Sequence, residues 1–283
     1  MEIKMVAVVG AGVMGSDVAF DFSAAGFQVI LKDIHQGILE KAEKKVKQTF
    51  KMVKMASREF KDISLDEIQS RISFQIDNTN LDDVDLVLEN VPECLETKET
   101  VFRELEGLCK QGTIFASNTS CISITKLSSF LSDPSRMVGA HFMNPVPLKR
   151  IVEVVKGVHT SEETLDSLEL ALKKMKKRAI VVNDYPGFVA NRLSHLFMNE
   201  AAFLVQDGVA DAKQVDLLFK QGYGHAMGPL ETADLIGLDT VVNSLNVLYE
   251  SYQDSKFRCC PLLKRMVDAG HLGRKSGRGF YGY

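Results

Sequence analysis

Chemistry in this 283-residue chain is concentrated in His141-Phe-Met-Asn-Pro-Val-Pro-Leu-Lys-Arg-Ile-Val-Glu153. A titratable imidazole comes first. Two prolines then fix φ and exclude α-helix. Arg150-Ile-Val-Glu-Val-Val155 follows with the alternation of a strand, placing Glu153 among apolar residues. A carboxylate there is costly to bury unless it is paired. A histidine held within reach would pair it, and the pair makes a general base for neutral pH, with the carboxylate setting the tautomer and stabilising the imidazolium. The alternative is a histidine on a surface loop and a glutamate facing solvent.

Such a base needs a rigid frame and a second reactant, and the start of the chain supplies candidates for both. Met5-Val-Ala-Val-Val9 is a short apolar run suited to a strand buried on both faces. It leads into Gly10-Ala-Gly12-Val13-Met14-Gly15, and a helical pattern then continues to Gly26. In this setting the three glycines provide a tight turn, close approach of backbone to a pyrophosphate, and close helix–strand packing. The free N–H groups of the helix start would hold the phosphates. A second strand, Phe27–Leu31, ends near Asp33, where an acid would bond the adenosine ribose hydroxyls and repel a 2′-phosphate. The cofactor expected is therefore NAD(H), not NADP(H). Asp17 and Asp21 lie in the first turns of that helix. Asp17 either brings negative charge to the pyrophosphate or faces solvent and complements the helix dipole.

A helical stretch from Gly37 to Glu59 carries Lys41, Lys44, Lys45, Lys47, Lys51 and Lys54 around one apolar stripe. Most of these lysines read as a solvated face. Some could grip a phosphorylated substrate tail. Further apolar runs at Ile72–Ile76, Leu86–Leu88 and Thr113–Ala116 alternate with helical segments, the pattern of a doubly wound parallel sheet. At the carboxyl ends of its strands lie Asn90-Val-Pro-Glu93 and Ser117-Asn118-Thr-Ser120. These residues could bond a nicotinamide and a reacting oxygen, although ordinary turns use the same types.

Composition narrows the partners. A net charge of -3 argues against nucleic acid, and no apolar run has the length of a membrane span. The 5 cysteines (Cys94, Cys109, Cys121, Cys259 and Cys260) form no C-x-x-C pair, which points to free thiols in a reducing compartment and to no metal site. A strand so near Met1 leaves no room for a signal peptide. These features together lead us to expect a soluble, cytoplasmic protein. From Pro186-Gly187 onward, after a strand expected at Ala179–Val182, the periodicity is almost wholly helical. The expected organisation is an α/β nucleotide-binding domain of Rossmann type over residues 1–185, followed by an all-α domain over residues 186–283.

Taken together, these motifs closely resemble those of the L-3-hydroxyacyl-CoA dehydrogenases, with the short bacterial 3-hydroxybutyryl-CoA dehydrogenases as the nearest branch. The resemblance runs end to end, through Asp184-Tyr-Pro-Gly-Phe-Val-Ala-Asn-Arg192, Met227-Gly-Pro-Leu230, Asp234-Leu-Ile-Gly-Leu-Asp239 and Lys275-Ser-Gly-Arg-Gly-Phe-Tyr281. It implies that His141 is the catalytic histidine and Glu153 its orienting carboxylate. Ser120 falls by the substrate hydroxyl and nicotinamide, and Asn191 matches the active-site asparagine. Asp33, Glu93, Lys98, Asn118 and Asn144 fall where the family contacts NAD. The resemblance also implies an acyl-CoA substrate and a homodimer formed through the C-terminal domain, whose helices would bury leftover apolar surface against a twin. Four positions depart from the family pattern: Asp17 for glycine, Met143 for an aromatic, Cys121 for serine, and His225-Ala226 for His-Pro. Two rival readings stand beside this one. One is a dehydrogenase of a free hydroxy or sugar acid, similar to the lambda-crystallin branch, with Arg150 or Arg192 holding the carboxylate. The other is a non-catalytic NAD-binding protein, with Asp17 as a sign of decay.

Overall fold

A computed structural model describes residues 1–283, which divide into two compact units, Met1–Asp184 and Tyr185–Tyr283. The first is built on eight strands: β1 (Met5–Val9), β2 (Gln28–Lys32), β3 (Ile72–Gln75), β4 (Leu86–Glu89), β5 (Ile114–Ser117), β6 (Met137–Phe142), β7 (Ile151–Lys156) and β8 (Arg178–Asn183). They lie in the order β3-β2-β1-β4-β5-β6-β7-β8. The first six run parallel, β7 is antiparallel to β6, and β8 runs parallel to β7. The reversal has a local cause. Between β6 and β7 there is only a short proline-bearing turn, Val146–Leu148, and a connection that short can join only antiparallel neighbours.

The helices of this unit are α1 (Val13–Ala24), α2 (Gln36–Ala56), α3 (Leu65–Ser70), α4 (Leu95–Glu106), α5 (Ile124–Ser128) and α6 (Glu162–Lys174). α2 stops at Ser57, short of the expected Glu59, and a separate 3-10 turn covers Arg58–Phe60. The strands between the edge strands β3 and β8 are buried on both faces, and the pleat sorts their residues. Val6, Val8, Val29, Leu31, Leu86, Leu88, Ala116, Ala140 and Val154 share a core with residues of α1, α2, α3 and α6. The alternate residues, among them Ala7, Val87 and Phe115, point the other way and are just as buried. There Phe102 of α4 meets Phe115 edge-on, ring centroids 6.3 Å apart. Covering both faces is the arrangement that lets a parallel sheet bury near-continuous apolar strands.

The second unit contains α7 (Ala190–Gln206), α8 (Ala212–Leu217), α9 (Pro229–Ile236), α10 (Leu238–Tyr252) and α11 (Pro261–Asp268). α8 runs into a π-helical turn at Leu218–Gly222. Met198, Ala202, Leu230, Val241, Leu245 and Leu263 are among its buried apolar residues. The glycine- and aromatic-rich end of the chain is docked here. Asp234 accepts from the N–H groups of Phe280 and Tyr281 and from the Tyr283 hydroxyl, and Tyr281 donates to Asp216 at 2.6 Å. Gly279 is required for that fit, since a Cβ there would lie 2.0 Å from the Asp234 carboxylate. No helix is long and apolar enough to cross a membrane.

Candidate active site

The acidic and polar residues of the site follow from strand register. Glu89 and Ser117, the last residues of β4 and β5, are directly paired, and Ser117 is paired in turn with Gly139 of β6. Two residues on, His141 is paired with Glu153 across the antiparallel β6–β7 ladder. Paired residues share a face and so do residues two apart, so Glu89, Ser117, His141 and Glu153 all project from one face of the sheet. They do so towards the carboxyl ends of the parallel strands, where sheets of this kind bind ligands.

His141 and Glu153 are both buried, and Nδ1 of the histidine lies 2.9 Å from Oε2 of the glutamate. The geometry is that of an Nδ1–H donating to the carboxylate, which leaves Nε2 with a lone pair. Nε2 in turn lies 3.4 Å from Ser120 Oγ. An imidazole so held can take a proton at Nε2 while Glu153 balances the charge that results. The expected pairing of His141 with Glu153 is present, and the alternative of a surface-loop histidine beside a solvent-facing glutamate is not. His141 belongs to a strand of its own, and the pairing with Glu153 is a direct cross-strand contact.

Ser120 is held by Glu93. Oε1 of Glu93 accepts from the Thr119 hydroxyl at 2.5 Å and from the backbone N–H groups of Ser120 and Cys121 at 2.9 and 3.0 Å. Its Oε2 lies 3.3 Å from Lys98 Nζ. Burial works to raise the Glu93 carboxyl's pKa, but Lys98 and these three donors outweigh it and hold the group below the ordinary range. Lys98 is fully buried and sits 2.8 Å from both oxygens of Glu89. Glu89 accepts further from Ser117 Oγ and from the Val91 N–H, both at 2.6 Å. Burial pulls its carboxyl upward against the attraction of Lys98. Lys98, expected as a cofactor contact, thus spends its charge on two carboxylates. Asn118 is likewise engaged within the chain: its Oδ1 accepts from the N–H of Phe142, next to His141, and its Nδ2 donates to Asn90. Asn144 is exposed in the turn after β6. Asn191 lies in the second unit, in the first turn of α7, where its carbonyl oxygen is 2.9 Å from His195 Nδ1. Glu89 was not anticipated, and Ser117 and Thr119, expected as possible ligand contacts, instead donate to Glu89 and Glu93. A signal for Glu89 was present, in an acid closing the apolar run Leu86-Val-Leu88.

The glycine turn fits a dinucleotide. Gly10 has φ of 99°, and a Cβ on it would lie 2.6 Å from the Asn90 carbonyl oxygen. On Gly15 a Cβ would lie 1.8 Å from the Gly10 carbonyl oxygen, while nothing stands within 4 Å of the corresponding point on Gly12. The turn is therefore packed on its protein side and open at Gly12. Gly12 caps α1 with no side chain on its first N–H groups, and Val13 is exposed while Met14 packs inward. A cavity of about 500 Å³ adjoins the turn, lined among others by Gly10, Gly12, Asp33, Ile34 and Asn90. Asp33 accepts from the N–H groups of Ala11 and His35, which fixes the carboxylate at the cavity's rim.

Asp17 does neither of the things expected of it. It is buried against α2, accepts from Thr49 Oγ1 at 2.7 Å and lies 3.4 Å from Lys45 Nζ. Its charge is directed into a helix–helix contact, where glycine would leave no such link.

Comparison with known proteins agrees with this geometry. The model of the 3-hydroxyacyl-CoA dehydrogenase NAD-binding domain matches residues 5–185, and that of the family's C-terminal domain matches residues 187–283. The chain belongs to the 3-hydroxyacyl-CoA dehydrogenase family. A probable 3-hydroxybutyryl-CoA dehydrogenase of Bacillus subtilis is 43% identical over 286 aligned positions, covering 100% of this chain and 98% of the relative. Among solved structures, FadB2 of M. tuberculosis superposes with a TM-score of 0.95 at 34% identity, with all of both chains covered. The (S)-3-hydroxybutyryl-CoA dehydrogenase PaaH1 of Ralstonia eutropha gives 0.92 at 35% identity, covering 100% of this chain and 99% of that one. As in the family, NAD is the cofactor.

Proposed function

We propose that this chain is an NAD-dependent dehydrogenase that interconverts short-chain (S)-3-hydroxyacyl-CoA and 3-oxoacyl-CoA thioesters, with 3-hydroxybutyryl-CoA and acetoacetyl-CoA as the preferred pair. The observation that carries the mechanism is the buried His141–Glu153 contact at 2.9 Å with Ser120 at the other ring nitrogen. Bound NAD supplies a hydride acceptor for C3 of the substrate. His141 Nε2 removes the 3-hydroxyl proton in oxidation and returns it to the forming alkoxide in reduction. Glu153 keeps Nδ1 protonated and offsets the imidazolium charge. Ser120, anchored through Glu93, orients the hydroxyl, and Asn191 keeps the role that the family resemblance gives it, orienting the thioester carbonyl. Gly10, Gly12 and Gly15 hold the pyrophosphate and Asp33 the adenosine ribose.

We place the enzyme in the cytoplasm as a homodimer formed through the C-terminal unit, in keeping with five free thiols and with exposed Leu193, Leu218 and Tyr223. The test is the initial rate of acetoacetyl-CoA reduction with NADH and NADPH in parallel. Fast oxidation of NADH alone is expected. Preference for NADPH overturns the role of Asp33. Turnover of free 3-hydroxy acids that is insensitive to coenzyme A overturns the thioester assignment.

A further inference from the structure

Glu89, Lys98 and Glu93 form a cluster with unequal charge. Glu89 is fully buried at the end of β4 and Lys98 is 1% exposed. Lys98, Ser117 and the Val91 N–H send four hydrogen bonds to the two oxygens of Glu89. Every partner is a donor, so the site has no use for a carboxyl proton and Glu89 is a carboxylate. Glu93, with its own donors, is a second one. Two carboxylates against one ammonium leave one negative charge, and the cluster ends on the backbone of Ser120, 3.4 Å from His141 through the serine hydroxyl.

We propose that this cluster is a fixed negative charge that favours the oxidised, cationic nicotinamide over the reduced, neutral one, with Glu89 as the positioning residue that supplies the excess charge through Lys98 and Glu93. The inference rests on the dehydrogenase reading in one respect. Direct hydride transfer requires the nicotinamide ring to lie against the carbon whose hydroxyl faces His141 and Ser120. When the C3–H bond breaks, its electron pair and hydrogen pass to the ring, which loses its positive charge. The hydroxyl proton passes to Nε2, and the charge reappears on His141. The same face of the sheet thus holds one acid system for each place the charge occupies: Glu89 with Glu93 before transfer, Glu153 after it. Lys98 prevents the buried Glu89 and the partly exposed Glu93 from repelling each other into protonation.

The test is the ratio of dissociation constants for NAD+ and NADH, measured by calorimetry on the full chain without substrate. Glu89→Gln keeps the shape and removes the charge, and the NAD+/NADH ratio of Kd is expected to rise at least ~5-fold, the order expected for one charge several ångströms away at an effective dielectric of about 20. Glu89→Asp retains the charge, so both affinities can fall but their ratio should stay within about twofold. A merely structural role would move both constants together in Glu89→Gln, and an unchanged ratio overturns the proposal. If Glu89→Gln does not fold, Glu93→Gln, at the more exposed end of the cluster, decides by the same ratio. Failure of the substrate assignment is separate. A chain that ignores acetoacetyl-CoA yet shows the shifted ratio retains the charge mechanism and loses only the thioester.

Discussion

At the residue scale, the His141–Glu153 pair makes two predictions. His141→Ala should lower kcat at least ~10²-fold, the lower end of what a positioned general base contributes, with near-unchanged NADH affinity by fluorescence titration. Near-normal turnover would sink the assignment. Glu153→Gln is more informative because it keeps the shape of the contact at 2.9 Å. The amide can present either its oxygen or its NH2 to Nδ1. When it presents the NH2, the imidazole proton moves to Nε2 and the base has no lone pair to offer. Hydroxyacyl oxidation should therefore fall ~10²- to 10⁴-fold, towards the loss seen when a triad acid becomes an amide. A variant within tenfold of the parent would show that Glu153 does not set the tautomer. Both residues were legible as a histidine and an acid on a strand. Their pairing was expected, but not that it is a contact between two adjacent strands, because Met137-Val-Gly-Ala-His-Phe142 lacks the alternation that would have marked β6 as a strand. Lys98 and Asn118 show the limit from the other side. The family resemblance suggested cofactor contacts, and only coordinates reveal that these side chains also bond Glu89, Glu93, Asn90 and Phe142.

At the scale of elements, the parallel strands and the glycine turn could be read from apolar runs, since strands buried on both faces leave that mark. The acids of α1 could not, because a buried charge looks no different from an exposed one until its partner is found. Asp21 is one of these. It lies 2.8 Å from Lys177, in the turn between α6 and β8, and Lys177 also donates to the carbonyls of Val146 and Lys149. One ammonium thus ties α1 to the connection between the strands of His141 and Glu153. Burial, opposed by Lys177, pushes the Asp21 carboxyl up to about 6 from an ordinary 3.8. The folded state therefore holds this proton more tightly than the unfolded chain. Stability from this group is fully present below the unfolded value and is lost as pH rises through the folded one, that is, from about 4 to about 6. Relative to Asp21→Asn, whose amide does not titrate, the parent's melting temperature should rise as pH falls from 7 to about 4.5. A difference that stays flat over this window, or slopes the other way, excludes the raised pKa. The docked chain end belongs to the same scale. Burial and the Asp216 carboxylate push the Tyr281 phenol above its ordinary range, so it stays a donor. Tyr281→Phe leaves Asp216 one donor short and should cost about 1.5–3 kcal/mol in urea unfolding, the range for a hydrogen bond to a charged group. A loss below ~0.5 kcal/mol, ordinary for a surface change, would mean that the tail is only loosely seated.

At the scale of the whole molecule, the change from alternating to helical periodicity at Pro186-Gly187 suggested a division, and contacts cluster into Met1–Asp184 and Tyr185–Tyr283. What periodicity could not tell was how much of the helical unit's apolar surface remains outside its own core. Leu193, Val209, Leu218 and Tyr223 are each more than 60% exposed there. Single exposed apolar residues are ordinary on monomers, but several large ones on one small helical unit point to surface buried by association. If that association is the homodimer, sedimentation at micromolar concentration should give twice the chain mass. Because dimers bind the folded state and not the unfolded one, the melting temperature should also rise with protein concentration. Leu218→Asp, at a position that makes no contribution to the unit's core, should weaken both effects together while leaving the monomer's helical content intact. A single-chain mass at every concentration, with a melting temperature independent of it, would leave those residues as plain surface and remove the dimer from the functional picture without touching the chemistry at His141.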